Sequence, residues 1–117
     1  MKIKIVLILF NIFSNYLIAG IIIEGIEFKY YSPEPKHHKD AFICIDLNKN
    51  ESAKSYVQFS KTNESLILRY SDNTIAKGIL AVKHTDNELY YESFYLSKDK
   101  CMDYANSNNK RYSKTRY

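Results

Sequence analysis

The sequence predicts an α+β protein: one short helix packed on an antiparallel sheet and closed by one disulfide, with an all-β sandwich as the alternative. Three observations predict it. Apolar and aromatic residues alternate with polar ones in several short runs, the period of half-buried strands. Segment 50–61 carries a helical face and follows capping residues. Two cysteines, Cys44 and Cys101, lie towards opposite ends of the patterned region, so only one intramolecular bridge can form.

The first residues are Met-Lys-Ile-Lys, followed by an apolar run broken by Asn11, Ser14 and Asn15, with small residues at Ala19 and Gly20. A charged start, an apolar middle and a small-residue exit make a secretory signal, expected at 1–19 with cleavage after Ala19 or Gly20. A membrane anchor competes, because the apolar run continues to Ile23 and nearly reaches the roughly 20 residues a spanning helix needs. The signal reading leaves a single globular domain over 20–103, large enough for one core, and a tail over 104–117.

Ile22 to Tyr31 reads as the first strand, ended by Ser32-Pro33-Glu34-Pro35 because proline cannot donate to a ladder. Lys36 to Asp40 is a polar loop, and Ala41 to Leu47 the next short strand. Asn48 is placed to cap a helix, with Glu51 returning the bond three residues on; Ala53, Tyr56, Val57 and Ser60 would share one helical face. The same stretch could be a strand through Val57 and Phe59. Leu66 to Tyr70 alternates as a strand, and Ser71-Asp72-Asn73 turns. Ile75 to His84 contains the continuous apolar run Ile79-Leu80-Ala81-Val82, which predicts burial on both faces and a central position. Asp86-Asn87 makes a hairpin turn, and Glu88 to Leu96 returns as an aromatic strand. Beyond Cys101 the chain is rich in Asn, Ser, Lys and Tyr and reads as a basic, disordered tail.

The net charge of +4 belongs to the two ends. Lys2 and Lys4 lie in the leader, and Lys110, Arg111, Lys114 and Arg116 in the tail, leaving 11 basic against 13 acidic residues over 20–103. The basic tail could meet phosphates or acidic surfaces. In an oxidising compartment Cys44 and Cys101 are expected to pair; free or intermolecular thiols are the alternative. Asn50-Glu51-Ser52 and Asn63-Glu64-Ser65 are glycosylation sequons, which places Asn50 and Asn63 at the surface if they are used.

Phe42-Ile43-Cys44, a closing Cys101, and a terminal hairpin through His84-Thr85-Asp86-Asn87-Glu88-Leu89 together resemble the ribonuclease-like effectors secreted by powdery mildew fungi. The resemblance covers about residues 42–101. It implies a scaffold like that of the microbial T1/F1-type ribonucleases, secretion with action in or on a host cell, and a role in virulence. Two departures stand out: the mature chain before the motif is longer than is usual there, and the cysteines are closer together than in the ribonucleases.

RNA cleavage through a cyclic phosphate needs a base, an acid and cations that stabilise the phosphorane. Glu64, Arg69 and His84 are the candidates this chain offers, Arg69 and His84 on neighbouring strands and Glu64 just before Arg69. Each also has a plain structural reading: a solvated carboxylate, a surface ion pair and a strand-end histidine. The Tyr-x-His pair of the ribonuclease template is absent, and aligning the last hairpin on Asn87-Glu88-Leu89 puts the template's histidine position near Tyr95. The expectation is a catalytically inactive scaffold: a monomeric effector-type binding protein with host proteins as partners and RNA as a secondary ligand, since tyrosines stack on bases and lysines meet phosphates. An active small secreted ribonuclease and a β-sandwich binding module are the alternatives. No cofactor, metal or membrane contact after leader removal is expected: His37-His38 are adjacent in a loop and would point apart, and three glycines supply neither a phosphate-cradling loop nor a nucleophile elbow.

Overall fold

Residues 20–35 and 40–112 are described by a computed structural model. Residues 1–19, where the leader is expected, the loop carrying His37-His38 and the last five residues lie outside the described residues. Among those described, no helix is long and apolar enough to cross a membrane.

The apolar opening of the domain is not one strand but three. β1 (Ile21–Ile23) and β2 (Ile26–Phe28) pair as a small hairpin, and β3 (Tyr30–Ser32) leaves it to join the main sheet. Glu24 and Gly25 take φ of 51° and 82°, the left-handed pair that a two-residue hairpin turn requires. The single strand expected over Ile22 to Tyr31 is therefore corrected. Only Gly25 within the apolar run signalled the reversal.

After the proline segment, β4 shrinks to Ile45–Asp46, against the strand expected from Ala41 to Leu47. α1 spans Glu51–Ser60. Its cap is Asn50, whose side chain accepts from the Ala53 N–H at 3.0 Å. Asn48, the residue expected to cap, instead has its N–H bound to the Asp46 carboxylate at 3.0 Å, so it closes a turn and the helix starts two residues later. β5 (Lys61–Arg69), β6 (Ile75–Lys83) and β7 (Leu89–Tyr95) then form an antiparallel meander. The turns between them are the ones read from the sequence, with Asn73 and Asn87 at φ of 71° and 64°. The chain ends in α2 (Lys98–Tyr112).

The fold is α+β: an open five-stranded antiparallel sheet in the order β4-β3-β7-β6-β5, a separate two-stranded hairpin and two helices. The helix over 51–60 removes the sandwich alternative, and the expected single helix is corrected to two among the described residues. β6 is flanked on both sides, and Leu80, Ala81 and Val82 in its apolar run are almost fully buried. Alternation along the strands sorts the two faces. One carries Leu80, Val82 and Phe94 under Val57 of α1 and Phe28, Ile21 and Ile23 of the hairpin. Each such side chain contributes roughly 1.5–3 kcal/mol by leaving water. The opposite face carries Lys77 and Tyr95 and receives α2, with Tyr104 against the Tyr95 ring at 5.4 Å.

α2 overturns the expectation of a disordered tail for residues 104–112. Its buried positions, Cys101 and Ala105, with Tyr104 and Asn108 beside them, follow the spacing of one helical face. The stretch looked disordered because its anchors are polar or small. Asn109 makes both bonds to the Phe42 backbone, accepting from its N–H at 2.7 Å and donating to its carbonyl at 2.9 Å. Phe42 meets the Tyr104 ring edge-on at 5.9 Å. Cys44 and Cys101 are joined, with Cα atoms 5.9 Å apart, so the bridge fastens the segment before β4 to the first turn of α2.

Candidate functional site: a tyrosine-lined cleft around His84 and Glu92

β6 ends at Lys83, and the next residue, His84, begins the hairpin turn to β7. The turn is closed by main-chain bonds from His84 N–H to the Glu88 carbonyl and from Asn87 N–H to the His84 carbonyl, both 3.0 Å. The Asp86 carboxylate accepts from the Glu88 N–H at 3.0 Å and stiffens it. This fixes the His84 ring at the end of the inner face, where Tyr90 and Glu92 of β7 and Tyr56 of α1 converge on it. Period two puts Tyr90, Glu92 and Phe94 on one side of β7; Phe94 enters the core, and Glu92 and Tyr90 line a cleft of about 650 Å³ with Tyr31, Tyr56 and His84.

Nδ1 of His84 lies 2.9 Å from the Tyr56 hydroxyl and Nε2 lies 3.4 Å from Glu92 Oε1. With Glu92 ionised, Nε2–H donates to the carboxylate and Nδ1 accepts from Tyr56. The imidazole is thereby clamped on both sides, and it also packs on Tyr90 with ring centroids 4.0 Å apart. Glu92 is only 3% exposed. Burial pushes its carboxyl above the ordinary carboxylate range, against the opposing pull of the Glu34 N–H, His84 and Tyr31. Tyr31, stacked on Phe94 at 4.9 Å, donates to Glu92 and is held neutral by burial and by that carboxylate. Tyr90 donates to Glu88 at 2.8 Å, which pushes its hydroxyl up to about 12. Tyr56 is also raised, by burial first and by Glu92 and Asp86 next.

The three residues singled out for nuclease chemistry are not brought together. Only His84 lies in the cleft. Glu64, on β5, accepts from the Tyr91 hydroxyl at 3.1 Å on the opposite face of β7 from Glu92. Arg69 sits at the far end of β5, where its guanidinium donates to the Asn73 carbonyl at 3.0 Å across the β5–β6 turn. β5 pairs with β6 from Lys61 opposite Val82 to Arg69 opposite Ile75, so Arg69 and His84 stand at opposite ends of the sheet. The sequence reading missed Glu92, Tyr31 and Tyr56. One signal was available: an acid at an inward position of an aromatic strand, between Tyr90 and Phe94, must find a partner. Asn50 and Asn63 are both exposed, Asn50 at the α1 cap and Asn63 on β5. Among the described residues no cluster of three or more His, Cys, Asp or Glu could hold a metal.

No family model matches this chain, and neither does any curated protein or solved structure.

A second surface lies on the α2 side. The Lys77 ammonium stands 5.2 Å from the Tyr104 ring centroid and that of Lys100 5.1 Å from the Tyr70 ring. These four side chains share a shallow depression of about 340 Å³.

Proposed function

We propose that this chain is a secreted, effector-type binding protein whose scaffold has no nuclease activity and whose partners are host proteins. The observation that carries the reading is the dispersal of Glu64, Arg69 and His84. A phosphorane needs a cation beside the acid and base, and Arg69 is committed to a turn at the far end of the sheet. The imidazole of His84 is engaged on both nitrogens by Tyr56 and Glu92, a bonding pattern that holds a ring in place. The leader-like first residues and the Cys44–Cys101 bridge support export to an oxidising compartment. The likeness to ribonuclease-like effectors remains a proposal resting on the Phe42-Ile43-Cys44 motif and the terminal hairpin.

RNA is proposed as a secondary ligand on the Lys77, Lys100, Tyr70 and Tyr104 surface, because alternating cations and aromatic rings there suit phosphates and stacked bases. The cleft does not suit it, because its lining includes Glu34, Asp86 and Glu92.

The test is an RNA cleavage assay on the disulfide-bonded protein beside its His84→Ala variant. The expected result is no turnover above background in either. Turnover by the natural chain that disappears in the variant would establish a nuclease and end the binding-protein reading.

A further inference from the structure

We infer that the cleft between α1 and the β6–β7 hairpin is a receptor for an organic cation, a guanidinium or alkylammonium group presented by a partner protein, held against tyrosine faces within a ring of carboxylates. This deepens the binding-protein reading and rests on it for the source of the cation.

The size and lining of the cleft suit such a group. About 650 Å³ lies within the range of cavities that enclose a side chain or small ligand. Three carboxylates border it, Glu34 and Asp86 exposed and Glu92 buried, and no lysine or arginine is among its described lining residues. Even with His84 protonated and the three carboxylates ionised, the described lining is net negative by two. An anionic ligand would meet that charge at short range, whereas a cation gains from it.

The hydroxyls of the three tyrosines already have partners. Tyr31 OH is spent on Glu92, Tyr56 OH on His84 and Tyr90 OH on Glu88. An anionic or carbonyl ligand that needed a phenol O–H as donor would have to break one of these. A cation needs only the ring quadrupole, which draws it to the face of a tyrosine. Guanidinium and quaternary alkylammonium groups are more weakly hydrated than a primary ammonium, so they lose less on entering a partly apolar cleft. Pro33 and Pro35 add apolar surface to the lining.

The residues divide the work. Glu34 and Asp86 at the entrance attract the cation over a distance that salt will shorten. Tyr56 and Tyr90 provide the contact surface. His84, pinned at both nitrogens, packs against both rings, 5.7 Å from Tyr56 and 4.0 Å from Tyr90 by centroid.

The test uses the full disulfide-bonded protein and NMR titration at low ionic strength. The probes are N-acetyl-arginine methylamide and N-acetyl-trimethyllysine methylamide as protein-borne cations, agmatine as a free amine, and guanosine monophosphate as an anionic aromatic. The expected result is saturable shifts at Tyr56, His84 and Tyr90 with the peptide-like cations. Affinity should fall by roughly three- to thirtyfold in Tyr90→Leu, the range expected for losing one cation–π contact. It should fall also in the Glu34→Gln/Asp86→Asn double variant, which keeps the turn acceptor at position 86 and removes only charge. Glu64→Gln should bind as the natural chain does. No saturable shift with any cation, undiminished binding in both cleft variants, or preference for the nucleotide would overturn the inference, as would agmatine binding with the amino-acid probes excluded. None of those results gives RNA turnover, so the failure of this inference and the failure of the binding-protein reading are read from different assays.

Discussion

Glu92 shows how one side chain's position outweighs its type. On an exposed strand face a glutamate is a solvated charge; at an inward position of β7 it is surrounded by Tyr31, His84 and the Glu34 N–H. Because burial dominates, its folded pKa lies above its ordinary value of 4.5. The sign follows from linkage: the contribution it makes to stability is fully present below that ordinary value and is lost as pH rises through the elevated folded value. Stability measured by urea unfolding should therefore carry a component that declines upward from about pH 4.5, and Glu92→Gln should lack it. Equal pH slopes in the two proteins would show that the carboxyl is not held in this state. At the same scale, Asn48 and Asn50 were indistinguishable as caps from type alone. Asp46 decided between them by taking the Asn48 N–H into a turn.

At the scale of elements, β6 was the most legible because its signal was redundant. A continuous apolar run, in a segment bounded by turn residues on both sides, pointed to a strand covered on both faces, and Leu80, Ala81 and Val82 are so covered. Gly78, in the same strand, has a role that no pattern disclosed. A Cβ there would lie 2.8 Å from two atoms of the Phe28 ring and 2.9 Å from Ile23 Cδ1. Gly78→Ala should thus displace the β1–β2 hairpin from the sheet and cost about 1–3 kcal/mol, the usual range for overpacking a core. A denaturation midpoint unchanged from the natural chain would mean that the hairpin yields freely. α2 was illegible for the opposite reason. Its helical face is built from a cysteine, an alanine, one tyrosine and asparagines, which together carry weak hydrophobic signal, and Asn109 acts by hydrogen bonds to a segment 67 residues away.

For the whole molecule, the disulfide joins residues 57 apart and ties α2 to the region preceding β4. On the chain-entropy view such a closure stabilises by about 3–4 kcal/mol, a large part of what a domain this small possesses. A Cys44→Ala/Cys101→Ala variant should lose about that much in chemical unfolding. The loss should be accompanied by faster amide exchange in α2 than in β6, because β6 is held by the sheet and the inner core. Uniform acceleration across both would show that α2 is not the element the bridge secures. The inner core and the cleft share the same face of the sheet, so packing that orders Phe94 and Val57 also orders His84 and Tyr56.

The order of residues along the chain was enough to place the strands of the meander and their turns and to leave one possible intramolecular cysteine pairing; it favoured a helix before β5 but left a strand there open. Each of these depends on neighbours a few positions away or on a count of two. What α2 packs against, which asparagine caps α1, and the meeting of His84 with Glu92 rather than with Arg69 were decided by the assembled structure. Those contacts join segments distant in sequence, and β-sheet register, which no local pattern encodes, determines which side chains arrive at the same end.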